Sequence, residues 1–273
     1  PVIANNDSGK QISDIQSLIS EGAQVLIVNP VDSQAIKPAL DDAASHHIPV
    51  VAVDVAPAAG SVYMIVRANN TLYGQEACSY ISSHVTSGTV LQLEGDLSSL
   101  NGRDRTTAFN DCMKQKAPQL KVVSDPTKWE APTATTDAQD ALHTFPDLKA
   151  IYVQWSGPVP GILQAERSQN RFTPVGAAGH VILVSDDGVP FEMQDIRSGS
   201  LDSTVSQPAT LYAQYAVSYS RDALAGKKFA AGQPTDHQTK LVTVDGNLED
   251  PINAPLVTPT NVKDPSLWGN QAG

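Results

Sequence analysis

Val25-Leu-Ile-Val-Asn-Pro-Val-Asp-Ser33 is followed, after a helix-forming segment, by Ile48-Pro-Val-Val-Ala-Val-Asp54. Each stretch contains an apolar run long enough for a buried strand, and each run ends in polar residues. Strands of a parallel sheet covered on both faces consist of nearly continuous Val, Ile and Leu, and ligands collect at the carboxyl ends of such strands. The residues that end these two runs, Asn29 and Asp54, are therefore predicted to hold a small polar molecule.

Apolar strand-like runs alternate with segments of helical periodicity along the rest of the chain. The predicted strands are 1–4, 25–28, 50–53, 62–66, 90–93, 121–124, 150–153, 181–185, 201–205 and 240–244. The predicted helices are 12–21, 33–46, 73–85, 104–116, 133–144, 158–167, 190–198 and 209–224. This alternation indicates repeated βαβ units, and the strands are too many for one open sheet, so two lobes are favoured. The Pro- and Asn-rich tail after Asp245 is predicted to be extended and held by Trp268.

Length and charge exclude some functions. The chain has 273 residues, enough for two lobes, and a net charge of -11, which argues against nucleic-acid binding because that function needs a basic face. Its apolar runs all fall short of the roughly 18 residues that a membrane helix needs. The sequence contains no leader peptide, so we expect a cytosolic protein or the mature part of an exported one.

The two cysteines, Cys78 and Cys112, fall on consecutive predicted helices that flank the strand at 90–93. They could pack side by side as a disulfide, which an exported protein favours, or remain two free thiols. The sequence shows no Cys-x-x-Cys and no Cys/His spacing typical of a metal site. We therefore expect neither a metal nor a cofactor.

Polar and aromatic side chains recur at the predicted strand ends. Besides Asn29 and Asp54, they are Ser156, Asp187 and Gln207, with Arg105 just inside a helix start and Trp129 and Trp155 at comparable loop positions. Carboxylates accept hydroxyl protons, amides both donate and accept, and arginine donates in a planar fork. Such a set suits a ligand with many hydroxyl groups, and indole faces suit the C–H face of a sugar ring. Each residue alone has an ordinary structural explanation, such as an aspartate that caps the next helix.

Enzyme signatures are missing from the sequence, which has no Gly-x-Ser-x-Gly, no phosphate-binding loop and no His-Glu-x-x-His. Asp186 and Asp187 could imitate a carboxylate pair for acid–base chemistry, but neighbouring residues of a strand face opposite sides. We therefore predict a protein with no catalytic residues.

Several further segments carry a family resemblance. They are Asn69-Asn-Thr-Leu-Tyr-Gly-Gln-Glu-Ala77, Gly102-Arg-Asp-Arg-Thr-Thr-Ala-Phe109, Phe145-Pro-Asp-Leu-Lys-Ala-Ile-Tyr-Val-Gln154, Val184-Ser-Asp-Asp-Gly188 and Ser203-Thr-Val-Ser-Gln-Pro208. Together with residues 12–54 they resemble, in order and over nearly the whole chain, the ribose-type periplasmic sugar-binding proteins of ABC importers. The resemblance implies the type I periplasmic binding protein fold: α/β, with two Rossmann-like lobes of parallel sheets, joined by three crossovers and closing over a sugar like a hinge.

The resemblance also implies boundaries and residue roles. The first lobe would comprise 1–68 and 208–239, and the second 69–207 and 240–273. The implied ligand contacts are the amides of Asn29 and Gln207, the carboxylates of Asp54 and Asp187, Arg105 and the stacking aromatic Trp129. Arg103 and Ser156 are further candidates.

Two positions depart from the ribose-binding pattern. The arginine expected after the carboxylate is Val55, and the asparagine expected after Val-Gln is Trp155. The loss of two polar partners and the gain of an indole indicate a different pentose, a hexose or a linear polyol. Residues 1–4 resemble the family's second strand, so we expect either a truncated sequence or a first lobe that is built differently.

The preferred hypothesis is a monomeric solute receptor of an ABC importer. It would capture a sugar or polyol in the cleft between the lobes and deliver it to a membrane permease, in the periplasm or outside the cell, with a lipid anchor in a Gram-positive organism. A receptor for a sugar-like signal, docking on a sensor kinase or chemoreceptor, is the alternative. The effector core of a sugar-responsive repressor is disfavoured by the acidic charge and the missing helix-turn-helix. A sugar-modifying enzyme is disfavoured by the missing catalytic group.

Overall fold

Strands and helices alternate along the chain, as the sequence pattern predicts. This computed structural model describes residues 1–271. The strands are β1 Leu26–Val28, β2 Val50–Val53, β3 Met64–Ala68, β4 Thr89–Glu94, β5 Lys121–Pro126, β6 Leu148–Val153, β7 Ile182–Asp187, β8 Ser203–Ser206, β9 Val242–Val244, β10 Asn247–Ile252 and β11 Leu256–Val257. The helices are α1 Ser8–Ser20, α2 Lys37–Ser45, α3 Asn70–His84, α4 Leu100–Lys116, α5 Ala131–Thr144, α6 Val159–Ser168, α7 Pro190–Ser198, α8 Ala209–Leu224 and α9 Trp268–Gln271. Within residues 1–271, no helix is both long enough and apolar enough to cross a bilayer.

The chain divides into two units. Unit 1 comprises Pro1–Asn69, Ser98–Asn101 and Pro208–Asn253, and unit 2 comprises Asn70–Leu97, Gly102–Gln207 and the described residues from Ala254 on. Each unit has its own sheet and core, and nearly all strand pairs are parallel. The predicted α/β fold with two parallel-sheet lobes is confirmed.

Unit 1 contains a five-stranded sheet in the order β1-β2-β3-β10-β9, in which only β9 runs antiparallel to its neighbour. Its core joins the apolar faces of α1 and α2 to the strands; Ile15, Ile36, Leu40, Val50 and Ile65 are buried there. The continuous apolar runs of β2 and β3 follow from burial on both faces, because α8 also packs against these two strands.

Unit 2 contains a six-stranded sheet in the order β11-β8-β7-β6-β4-β5. Successive residues of its central strands enter two different cores. Leu91 and Ile151 pack in one core, which also holds side chains of α5, α6 and α7. Val90 and Tyr152 pack in the other, with side chains of α3 and α4. The alternation of side chains along a strand thus explains why the runs carry apolar residues on both faces.

Residues at both termini of helix α7 explain where it begins and where it ends. Pro190 begins α7, and the Glu192 carboxylate accepts a hydrogen bond from the Val189 amide at 2.9 Å, which satisfies a donor that the helix itself leaves unpaired. Gly199 ends the same helix with φ 76°, a left-handed conformation that glycine adopts without steric cost.

Two sequence predictions in unit 1 are corrected. Residues 1–4 form no strand, because the Ala4 carbonyl accepts from the Asp7 amide at 3.1 Å and left-handed Asn5 and Asn6 turn the chain into α1. The segment 240–273, which is predicted to lie in the second lobe, is divided between the two units. Its part up to Asn253 lies in unit 1, because β10 pairs in parallel with β3.

The strand β10 was not predicted from the sequence, and neither was β11. In β10, Pro251 sits opposite Arg67 in the register with β3, and a proline within a run argues against a strand. The predicted strand at 62–66 begins two residues later, at Met64, and the predicted strand at 240–244 is limited to β9. The remaining strands and helices agree with the predicted ones to within a few residues.

Helices α3 and α4 approach each other unusually closely. A Cβ atom at Gly74 would lie 2.3 Å from the Arg105 carbonyl oxygen and 2.6 Å from the Phe109 nitrogen, so only glycine permits this contact. One turn further along α3, Cys78 forms a disulfide with Cys112 of α4, their Cα atoms 6.1 Å apart. The glycine and the disulfide together fix α4, the helix that carries Arg105.

Replacing both cysteines by alanine (C78A/C112A) is expected to lower the free energy of unfolding by about 4 kcal/mol, because the bridge joins residues 34 positions apart and restricts the unfolded chain. Chemical denaturation followed by circular dichroism measures the difference. A reducing agent should reproduce the loss in the wild type and leave the double variant unchanged. Two thiols that titrate in the unreduced, denatured wild type would contradict the bridge.

Candidate functional site

In unit 2, the predicted site residues lie where parallel strands end. Asp187 is the last residue of β7, Trp155 and Ser156 follow β6, Gln207 follows β8, and Trp129 follows β5. Because neighbouring parallel strands end at the same edge of a sheet, these side chains are brought to one edge. This is the edge at which open α/β sheets bind ligands.

Arg105 is the most deeply buried charged residue of the predicted set, with only 2% of its surface exposed. Its Nε donates to Asn70 Oδ1 at 2.7 Å, and its Nη1 donates to the Gln154 carbonyl. The guanidinium carbon lies 4.3 Å from the centre of the Tyr73 ring, in cation–π contact. These partners replace the water that a buried guanidinium loses.

Asp186 is the buried counter-ion of Arg105. Its Oδ2 lies 3.5 Å from Arg105 Nη1 and accepts a hydrogen bond from the Tyr152 hydroxyl at 2.8 Å. Burial raises the pKa of Asp186 to about 7, and the charge of Arg105 and the hydrogen bond from Tyr152 act in the opposite direction. Asp186 therefore pairs with groups in the interior of unit 2, whereas its neighbour Asp187 is only half-buried.

Asp187 is held on both its side chain and its backbone. Its Oδ2 accepts from the Ser156 amide at 2.9 Å and from the Ser156 hydroxyl at 2.8 Å. Its carbonyl accepts from Trp268 Nε1 and from the Gln207 amide, both at 2.7 Å. These bonds fix a backbone with φ 103°, a value that few residues other than glycine adopt. The bond from Trp268 holds the tail to this edge of unit 2.

The two tryptophans contact each other. The ring centres of Trp129 and Trp155 are 5.4 Å apart at an angle of 88°, an edge-to-face arrangement. Trp129 has φ 61°, and a Cβ atom at Gly95 would lie 2.0 Å from its ring, so Gly95 makes room for the indole. The Arg105 guanidinium lies 5.8 Å from the Trp129 ring centre. Both indoles are half-buried, so each keeps some accessible surface.

Gln207 is oriented by Tyr73, whose hydroxyl donates to Gln207 Oε1 at 3.0 Å. Tyr73 is fully buried, and its ring is the one that Arg105 covers. The same buried ring thus supports two residues of the predicted set.

Arg103 does not join this set. It lies two positions from Arg105 on α4, and residues two apart on a helix point to opposite sides. Its Nη1 donates to the Leu97 carbonyl at 2.7 Å, and its side chain lines a polar groove of about 540 Å³ between α3 and α4, together with Glu76 and Asp111.

In unit 1, Asn29 follows β1 and Asp54 follows β2. Asn29 Nδ2 donates to Asp54 Oδ2 at 3.2 Å, and Asp54 has the left-handed backbone value φ 65°. The structure thus brings together the two polar residues that the opening sequence stretches predicted.

Three residues of these networks were missed by sequence reasoning. Asn101 contacts Asp54 in unit 1, and Tyr73 and Asn70 support Gln207 and Arg105 in unit 2. All three lie in or beside the segments that carry the family resemblance, but helical residues without a strand-end position give no local signal of a site.

Among residues 1–271, no group of three or more His, Cys, Asp or Glu side chains has the arrangement of a metal site. The chemistry of the arrangement is therefore that of its hydrogen-bonding groups. These are carboxylates, amides, a hydroxyl and a guanidinium beside two indoles.

The chain is similar in sequence to known periplasmic binding proteins. A family model described as "Periplasmic binding protein domain" matches residues 2–228. The ribose import binding protein of Bacillus subtilis (strain 168) is 30% identical over 229 residues, which are 83% of this chain and 72% of that protein. These matches confirm the resemblance found in the sequence.

Solved structures show the same fold. The Caulobacter myo-inositol binding protein bound to myo-inositol has a TM-score of 0.78 and 23% identity, covering 96% of this chain and 82% of that one. The fructose binding periplasmic domain of a hybrid two component system has a TM-score of 0.80 and 22% identity, covering 95% of this chain and 79% of that one. The fold is the type I periplasmic binding protein fold.

The variant Arg105→Met should destabilise the protein strongly at pH 8 and less at pH 5. Loss of one partner of a buried ion pair costs about 3–5 kcal/mol. Burial raises the folded-state pKa of Asp186 above its unfolded-state value. The free energy of unfolding therefore falls as the pH rises from the unfolded to the folded pKa. Without Arg105 the free energy of unfolding falls further with rising pH, because the buried carboxylate of Asp186 has lost its counter-ion. At pH 5 Asp186 is protonated, so the absence of Arg105 destabilises the protein less.

Urea unfolding of the variant and the wild type at both pH values measures the effect. Arg103→Met removes the same charge from the opposite side of α4 and should change stability little at either pH. A loss for Arg105→Met that is equal at pH 5 and pH 8 would contradict the pairing with Asp186.

Proposed function

This chain belongs to the periplasmic binding protein family, and from that premise we propose that it is a solute receptor that binds a sugar or polyol without altering it covalently. The relative from Bacillus subtilis is by its name a ribose import binding protein, and it covers most of the chain. Binding in place of catalysis is supported by the roles of the carboxylates: Asp186 is the buried partner of Arg105, and Asp187 accepts two hydrogen bonds from Ser156.

One observation carries the proposal: hydrogen-bonding groups and indoles occupy the same strand-end edge of unit 2. The Asp187 carboxylate is tied to Ser156, the residue after Trp155, and Trp155 packs against Trp129. A sugar presents hydroxyl groups around its rim and C–H groups on its faces, so carboxylates and indoles side by side match it chemically. Gln207 adds an amide that can both donate and accept.

Unit 1 supplies the proposed contacts Asn29 and Asp54. Asn29 donates to the Asp54 carboxylate, so the two groups orient each other. A carboxylate has two oxygens with several acceptor positions, and it can keep this bond while it accepts from ligand hydroxyls. Groups fixed in this way lose little conformational entropy on binding.

The proposed ligand differs from ribose bound in the family's usual pose. Val55 is buried, with 8% of its surface exposed, and it offers no donor where the ribose pattern has an arginine. Trp155 offers an indole in place of an amide. These two changes fit another pentose, a hexose or a linear polyol. For such a ligand, a broader apolar contact offsets the smaller number of polar contacts.

The proposal extends to the receptor's biological setting. We propose a monomer in the periplasm or outside the cell that delivers its ligand to the permease of an ABC importer, with no cofactor. The same fold forms the fructose binding domain of a two component system, so signal reception on a sensor kinase is the second candidate. Reconstitution separates the two, because only an import receptor would stimulate the ATPase activity of its permease.

Titration with pentoses, hexoses and polyols is expected to change the intrinsic tryptophan fluorescence. For the ligand that binds best, Asp187→Ala should weaken binding by about tenfold to a hundredfold, the value of a hydrogen bond to a charged group. Asp140→Ala, which removes an exposed carboxylate of α5, serves as the matched control and should bind like the wild type. No response to any compound of the panel would argue against sugar binding, and full affinity of the Asp187 variant would remove that residue from the site.

A further inference from the structure

We propose that Asn101 is a positioning residue that holds Asp54 in its binding conformation, and that the buried Arg67–Glu249 ion pair orients Asn101. The inference rests on the proposed function only in that Asp54 contacts the ligand. All of these residues belong to unit 1.

The amide of Asn101 contacts Asp54 at two points. Its Nδ2 donates to the Asp54 carbonyl at 3.1 Å and to Asp54 Oδ1 at 3.3 Å. One group thus holds the backbone and the side chain of the same residue. Asp54 needs such support because a left-handed backbone, here φ 65°, is uncommon for a residue with a side chain.

Arg67 decides which end of the Asn101 amide faces Asp54. Its Nη1 donates to Asn101 Oδ1 at 3.2 Å. A guanidinium only donates, whereas the Asp54 carbonyl and carboxylate only accept. The amide oxygen must therefore face Arg67 and the NH₂ group must face Asp54, and the reverse orientation would lose the bonds on both sides.

Arg67 is itself held in place. Its Nε donates to Glu249 Oε2 at 2.7 Å, and the two side chains are 7% and 5% exposed. They stand on β3 and β10, which pair in parallel, so their separation is set by the register of the sheet. A short series of polar contacts thus leads from the sheet of unit 1 through Asn101 to Asp54.

Asparagine suits this position because its short side chain accepts on one oxygen and donates from the neighbouring nitrogen. Aspartate would retain the acceptor toward Arg67 but would turn a second carboxylate toward Asp54. Two facing carboxylates repel each other until one of them takes up a proton, so binding through Asp54 would become dependent on pH. A merely structural role of Asn101 in starting α4 predicts no such dependence.

The test measures the affinity of the best ligand for Asn101→Asp between pH 5 and pH 8. We expect affinity at least about tenfold below wild type at pH 8 and partial recovery toward pH 5, since a shared proton restores a hydrogen bond. Asn253→Asp, which makes the same charge change at an exposed residue of unit 1, should follow the wild type. Wild-type affinity of Asn101→Asp across the range would overturn the inference.

A crystal structure of Asn101→Leu tests the inference without a ligand, and it can be used even if the aspartate variant fails to fold. We expect the carboxylate or the backbone of Asp54 to move, because both hydrogen bonds from Asn101 are lost. An unmoved Asp54 would overturn the inference. If the wild type binds no compound of the panel while Asp54 moves in this variant, the proposed function fails and the positioning role stands.

Discussion

Each unit buries one arginine, and the need to pair that charge shapes the surrounding polar residues. In unit 2, Arg105 is paired with Asp186 and hydrogen-bonded to Asn70. In unit 1, Arg67 is paired with Glu249 and hydrogen-bonded to Asn101. Because removal of one partner from a buried pair leaves an uncompensated charge, these arrangements tolerate little change. They hold amides and carboxylates at fixed positions in each unit.

The residues at the strand ends are held in backbone conformations that side chains usually avoid. Asp54, Asp187 and Trp129 all have positive φ values, and each such conformation costs on the order of 1 kcal/mol or more. Hydrogen bonds from Asn101 to the Asp54 carbonyl and carboxylate, the hydrogen bond from Ser156 to the Asp187 carboxylate, and the space left by Gly95 offset that cost. Strain of this kind at strand ends is consistent with sites that are organised before they bind.

The sequence predicted the fold, which is confirmed, and it placed polar residues at strand ends, because both depend on local patterns; the ligand contacts of those residues stay a prediction. Apolar runs identified the strands, and the polar residue that ends a run, such as Asn29 or Asp187, is found by its position alone. The roles of Asn101 and Asp186 could not be found in this way, because they depend on side chains distant in sequence. The assignment of β10 to unit 1 likewise follows from long-range pairing, which Pro251 conceals in the sequence.

A crystal structure with the tightest-binding sugar or polyol would reveal whether these strand-end groups bind a hydroxyl-rich molecule and leave it intact. We predict ligand hydroxyls at about 2.6–3.2 Å from the carboxylate of Asp187 or of Asp54, an indole of Trp129 or Trp155 against the ligand's C–H face, and an unaltered covalent structure of the ligand. A ligand bound away from both carboxylates, or density for a chemically converted compound, would contradict it.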